Sequence, residues 1–430
     1  MRRSRGARHV RFHRDGPRLD PLSFPPDREI PVPRTLQYPS ILLLGFGVGL
    51  AACDGPSVDG ALDRDAPLVA AVEVLRIGSI DDPDEAFTYP SALAVTEDGR
   101  LISGHRQDPE VRVWSEDGDF LGTMGRAGEG PGEFQAVGSI RVEEDTVWVL
   151  DSRASRFHAF HAGTFEALRS VTLPFGETRW DDRLVRPYAR LGPGRYLGNP
   201  SAPSSQVASG EIVDRAILIL DENATPLDTL PRVPFGNGGW AVEPEPGRGG
   251  LYMRQPYGDA MHIEVVADGA HYLLDPRVDP AGDYAPVLLH RRSLSGDTLW
   301  TRELDFEVVP VDPDVRDSIA EVRVPDVPAF SRRRDAMIEA ARRSLYLPPF
   351  EPGARSMLVD DAERVWIRSS MTEDGLDIWW LVDATGELVA RVQVPSSLNP
   401  IAAHGDRLLG VEVGEFDVPF IVAYEAEVGG

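Results

Sequence analysis

The sequence predicts an all-β chain folded as a six-bladed β-propeller of four-stranded antiparallel blades, and three observations predict it. A strand–turn–strand pattern is written out over residues 89–160 and then restarts. Its inner turn recurs at Asp98-Gly99, Glu144-Asp145, Pro193-Gly194, Asp268-Gly269, Asp361-Ala362 and Gly405-Asp406. The first two intervals and the last are in the forties, the length of a four-stranded blade.

The elements follow in order. Residues 1–52 form a basic leader with nine arginines against four acidic residues. Arg2-Arg3 is a twin arginine by composition alone, and the leader is longer than a secretory signal requires. A start at Val32 or Leu36 would keep Arg34 ahead of the apolar run Ile41–Ala52. Twelve apolar residues are too few to span a bilayer and suit the hydrophobic region of a signal peptide. The run ends in Leu50-Ala51-Ala52-Cys53, which resembles a bacterial lipobox, and Cys53 is the only cysteine of the chain. Lipidation is therefore expected at Cys53, with acyl chains adding about 0.8 kcal/mol of anchoring per buried methylene. Residues 53–67, rich in Asp, Gly, Pro and Ala, read as a flexible tether.

From residue 68 to 430 short β-rich runs alternate with Asp/Gly turns, which supply the positive φ that tight hairpins need. Two intervals are longer and contain insertions. Residues 232–257, rich in Gly and Pro with Trp240 and Tyr252, read as a loop. Residues 312–347 read as helix: Asp312-Pro313 suits a cap with proline at the first helical position. Val315, Ile319 and Val322 make one apolar stripe, and Met337, Ala341 and Leu345 another. The last unit is one strand short, while Ala70–Ile77 has nothing local to pair with. The expectation is that this N-terminal strand completes the last blade and closes the ring, removing both sheet edges.

The second unit reads Val147-Trp148-Val149-Leu150-Asp151-Ser152-Arg153-Ala154-Ser155-Arg156, an apolar strand followed by Asp-Ser-x-x-x-Arg. The theme returns in Leu358-Val359-Asp360, Arg364–Arg368 and Trp380-Leu381-Val382-Asp383. With the glycine-rich link Gly125–Phe134, these residues resemble the NHL-type six-bladed propellers and, more closely, the bacterial six-bladed propeller lipoproteins. The resemblance runs from about residue 70 to the end, strongest in units one, two and five. It implies an extracytoplasmic propeller and no common activity.

All 44 basic residues are arginine, and the net charge is −25. Beyond the leader, 35 arginines face 65 acidic residues, a balance that excludes long-range attraction to nucleic acid or anionic lipid. Gly125–Gly132 lacks the helix and the Lys or Ser/Thr of a phosphate loop and reads as a blade connector. His105, His158, His161, His262, His271, His290 and His404 show no metal-ligand spacing. Asp81–Glu85 and Asp312–Asp314 lack the calcium-loop pattern. Trp148, Trp366 and Trp380 fit buried strand positions. Arg332-Arg333-Arg334 with Arg342-Arg343 reads as a helix face paired with Asp335 and Glu339.

No catalytic, cofactor-binding or metal residue is singled out, and no cofactor is expected. The function that follows is a membrane-anchored extracytoplasmic scaffold binding an envelope protein or a small molecule at the loop face around the channel. The alternative is a metal-dependent enzyme, a lyase or lactonase-like hydrolase, with its site in that channel.

Overall fold

Six antiparallel sheets follow one another along the chain. The computed structural model describes residues 66–428 except 80–81, 83–84, 88, 106, 175–177, 181–182, 201–212, 236–238, 244–250, 255, 259–260, 267–268, 277–281 and 325–332. Blade 1 is Pro90–Val95, Leu101–His105, Glu110–Trp114 and Phe120–Met124. Blade 2 is Val137–Glu143, Thr146–Asp151, Arg156–His161 and Ala167–Thr172. Blade 3 is Arg183–Gly192, Arg195–Pro200, Val213–Leu220 and Pro226–Phe235, with Arg179–Trp180 added beside its first strand. Blade 4 is His262–Val265, His271–Asp275, Tyr284–Arg292 and Thr298–Glu307. Blade 5 is Ala354–Val359, Val365–Glu373, Leu376–Val382 and Leu388–Pro395. Blade 6 is Asn399–His404, Arg407–Val413 and Pro419–Glu425, completed by Val72–Ile77. The chain is a six-bladed β-propeller.

All six turns expected from the sequence join the first strand of a blade to its second. First strands of neighbouring blades lie against each other and form the inner ring. The core sits between blades. Tyr272, Leu289 and Phe306 of blade 4 meet Ile367 and Trp380 of blade 5, and Trp366, Leu381 and Val392 of blade 5 meet Leu408 and Val422 of blade 6. Burying each such side chain stabilises the fold by about 1.5–3 kcal/mol, so the blade-to-blade seams hold the ring together.

The N-terminal strand closes the ring as expected, but the run Ala70–Ile77 is divided. Leu68–Ala70 lies parallel to Leu388–Pro395 on the outer edge of blade 5, with Leu68 beside Arg391. The Ala71 N–H still donates to the Gln393 carbonyl at 2.9 Å, and Val72–Ile77 then pairs antiparallel with Pro419–Glu425. Two blade edges are thus covered by one segment, where the sequence pattern suggested one.

Both insertions differ in detail from their sequence reading. Within 232–257 the outer strand of blade 3 continues to Phe235, and Gly239–Val242 pairs with Leu251–Arg254 as a hairpin. The helical insertion holds two helices, α1 (Val315–Arg323) and α2 (Arg334–Ser344). Asp312 does not cap α1. Its carboxylate accepts the Asp314 N–H at 2.9 Å, and the helix starts two residues later than Pro313. Met337, Ala341 and Leu345 are buried as expected. Val322, however, is 80% exposed, and Ala320 and Val324 face inward beside Ile319 instead.

Candidate functional site

The six inner strands run in one direction, so the six predicted turns share one face and the blade-to-blade connections share the other. Both insertions are blade-to-blade connections and therefore rise from the same face. They also share a core: Val242 from the hairpin is buried with Ala320 and Val324 of the α1 end and Met337, Ala341 and Leu345 of the α2 end. Arg316 ties the helices by donating from Nη1 to the carbonyls of Leu345 at 2.5 Å and Arg342 at 3.1 Å. Two segments separated by a whole blade thus build one cap, a long-range contact that no local sequence pattern announces.

The cap consumes much of the arginine cluster. Arg342 is held by Glu339 at 2.6 Å, Glu321 at 2.9 Å and Asp317 at 3.1 Å, and Arg334 donates to the Glu321 carbonyl at 3.0 Å. Glu339 is a partner that the sequence reading named, and Asp317 and Glu321 are additional ones from α1. Arg332 lies outside the described residues.

Below the insertion face, the inner strand His262–Val265 presents Glu264. Ile263 and Val265 pack between blades 3 and 4, and Glu264 alternates away from them, opposite Tyr272. Glu264 makes no hydrogen bond or ion pair with another described residue. Its side chain is exposed to solvent, yet desolvation pushes its carboxyl up to about 7. Tyr188 of blade 3 is raised well above the ordinary phenol range, first by burial and then by the Glu264 charge, which places the two groups within electrostatic reach.

The sequence-predicted residues are dispersed. In the link 125–134 the Glu133 carboxylate accepts the N–H groups of Gly130 at 2.9 Å and Glu129 at 3.1 Å, and pairs with Arg126 at 2.7 Å. The amides that would cradle an anion are occupied by the loop's own side chain, and Phe134 is fully buried, so the link is a blade connector. The Asp151 carboxylate accepts from the backbone of Gln135, Ala136, Arg153 and Ala154, which makes the Asp-Ser motif a structural knot. Its burial and several N–H donors explain why an aspartate is needed there.

The histidines are dispersed over the blades and connectors. His158 Nδ1 accepts the Gly132 N–H at 3.1 Å and meets Ser170 Oγ at 2.8 Å, fixing the connector, and burial then the nearby Arg156 hold its pKa down to about 4. His105 meets Ser103 Oγ at 3.0 Å, His290 meets Thr301 Oγ1 at 2.8 Å, and His161 accepts the Gly163 N–H at 2.9 Å. His404 lies 3.3 Å from Asp361, and His271 is buried in blade 4, its pKa also held down to about 4, chiefly by burial. His262 stands at the start of the Glu264 strand. Among the described residues, no group of three or more His, Cys, Asp or Glu side chains converges on a metal position. Trp148, Trp366 and Trp380 are all buried. Cys53, the leader, residues 53–65 of the tether and most of Asp81–Glu85 lie outside the described residues.

A family model agrees with the fold: described as "6-bladed beta-propeller", it matches residues 84–180. Solved structures similar to the chain include a candidate exported protein of Bacteroides fragilis, at 12% identity over 84% of this chain and 99% of that one, TM-score 0.47. Virginiamycin B lyase of Staphylococcus aureus is 12% identical over 82% and 88%, TM-score 0.33. The calcium-binding protein regucalcin of Agrobacterium tumefaciens is 11% identical over 85% and 97%, TM-score 0.36. Likeness at this level says nothing about activity. No curated protein matches in sequence. Among the described residues, no helix is long and apolar enough to cross a membrane.

Proposed function

We propose that this chain is a lipid-anchored, extracytoplasmic propeller that binds a small ligand along its inner ring, on the side of the shared cap. The observation that carries the reading is Glu264, a carboxyl on the inner ring that desolvation raises and that has no partner among the described residues. Such a group costs free energy when ionised unless something donates to it. The ligand chemistry it fits is an ammonium group or a cluster of hydroxyls. The anchor rests on Cys53 and the apolar run before it, and the acidic body fits a partner other than nucleic acid. No described observation favours the metal-enzyme reading over this one.

Two measurements test it. Cell fractionation of Cys53→Ser is expected to release the protein from the membrane, and equal membrane binding with unchanged processing would defeat the anchor. Thermal shift of the detergent-solubilised full chain against polyamines, amino sugars and divalent cations is expected to yield a stabilising compound whose effect disappears in Glu264→Gln. A stabilising compound that acts equally on both proteins would move the site elsewhere.

A further inference from the structure

Blade 2 carries a complete cross-strand row on the face it turns toward blade 3. Arg141 pairs with Trp148, Trp148 with Ala159, and Ala159 with Arg169. Residues opposite one another in antiparallel strands share a face, so an indole and one methyl group lie between two guanidinium side chains. Blade 3 contributes Arg190, whose guanidinium carbon stands 3.9 Å from the Trp148 ring centre, with that of Arg169 at 4.9 Å. Because Ala159 fills so little of the seam, a cavity of about 570 Å³ remains between the blades. Glu144 and Pro193 at its edge belong to the predicted turns, so it opens on the face opposite the cap.

The charges in this groove do not balance. Glu143 serves two arginines: Oε2 accepts from Arg190 Nη2 at 2.8 Å, and Oε1 lies 3.3 Å from Arg141 Nε. Arg169 has Glu222 at 3.7 Å, and the exposed Glu144 stands at the groove's edge, so three arginines line the groove against two glutamates. Arg190 has 3% of its side chain exposed, and its Nη1 makes no hydrogen bond, nor does Arg141 Nε. Burial pulls the Arg141 pKa down, and the Arg190 cation adds to this against the opposing pull of Glu143. One buried and one half-buried cation thus share a single carboxylate and are short of negative charge.

We propose that this groove is a binding site for an oxyanion, a carboxylate or phosphate group carried by a small organic ligand. Arg169, with 52% of its side chain exposed, presents a forked donor from one end of the row, and Arg141, 30% exposed with Nη1 donating to the Arg190 carbonyl at 3.3 Å, adds positive charge at the other. Arg190 supplies positive charge from beneath, and Leu168 with the edge of Trp148 gives the ligand an apolar wall. The site is independent of Glu264, which belongs to blade 4 and would repel the same ligand.

Titration calorimetry of the detergent-solubilised full chain with inorganic phosphate and with succinate tests it, against chloride at equal ionic strength. Saturable binding of either anion is expected, and which one binds identifies the phosphoryl or carboxylate source. Arg169→Ala should weaken that binding about tenfold or more, the value of one charge-assisted donor pair. Ala159→Leu, which fills the groove and leaves every charge in place, should abolish it. Absence of saturable binding by both anions, or binding unchanged in the two variants with folded thermal transitions, would overturn the proposal.

Discussion

Blades 2 and 5 place a tryptophan at the same point of the same strand and surround it in opposite ways. Around Trp366 the cross-strand row reads Leu358, Trp366, Leu381, Ala390, and blade 6 covers it with Leu408, Val422 and Tyr424. Around Trp148 it reads Arg141, Trp148, Ala159, Arg169, and blade 3 adds Arg190 to the apolar side chains, such as Tyr196 and Leu218, that share its cluster. The first seam is packed with apolar side chains and keeps its charges paired, Trp366 Nε1 donating to Asp360 at 3.3 Å and Arg364 pairing with Asp406 at 2.7 Å, while the second keeps a cavity lined by more arginines than carboxylates. The difference teaches that a propeller position is not structural or functional by itself. Its cross-strand neighbours decide.

The largest effect expected from breaking this contrast is on stability. Trp366→Ala should cost about 3–5 kcal/mol, because a filled seam cannot collapse onto the space left behind. Trp148→Ala should cost less, since a cavity already adjoins it and the arginine stems can move in. Urea unfolding of both variants measures the gap, and equal losses would mean the two seams are energetically alike.

Next in size is Arg190. Removing it leaves Glu143 with Arg141 alone and empties the space above Trp148, so Arg190→Ala should cost about 2–3 kcal/mol. Arg190→Met keeps the packing and should recover at least half of that. If Met proves no better than Ala, the charge and not the stacked stem holds this seam.

The third test uses pH and blade 4, where the corresponding row is Glu264, Tyr272, Arg291, Trp300. The Glu264 carboxyl is raised from 4.5 to about 7, so between those values the native state holds a proton the unfolded chain has released. Stability from this group is therefore present below pH 4.5 and lost as pH rises through 7. Buried His158 and His271, lowered from 6.5 to about 4, act in the other direction and lose stability as pH falls through nearly the same window. Glu264→Gln should raise Tm above pH 7 and leave it unchanged below pH 4.5. A uniform shift at every pH would show that the carboxyl is not desolvated.

Much of the fold was legible in the sequence because propeller turns are local. Asp98-Gly99 or Gly405-Asp406 announces itself whatever the rest of the chain does, and Ala70–Ile77 could be assigned to the last blade by counting strands. The cap was not legible, since residues 232–257 and 312–347 meet only after a full blade has folded between them. The binding groove was hidden for a related reason. Arg141 and Arg169 are far apart in sequence and come into one row only through the register of four strands. A shift of one residue would send either to the opposite face. Glu264 in His-Ile-Glu-Val looks like any polar position of a strand, and only its place on the inner ring makes it unusual.

The smallest expected effect separates function from stability most cleanly. Arg169 stands on the outer strand of blade 2, half exposed, with one long ion pair to Glu222. Exposed pairs of this kind contribute about 0–1 kcal/mol, so Arg169→Ala should change unfolding free energy by no more than about 0.5 kcal/mol. Leu358 or Leu381 in the blade 5 row has no such freedom, because each is needed to cover Trp366. Beyond its stacking on Trp148, the outer arginine of the blade 2 row therefore has little structural reason to be an arginine. If Arg169→Ala unfolds like the wild type in urea and still loses phosphate or succinate, its charge serves the groove. A loss of stability as large as that of Arg190→Ala would instead make Arg169 part of the seam and return blade 2 to the same standing as blade 5.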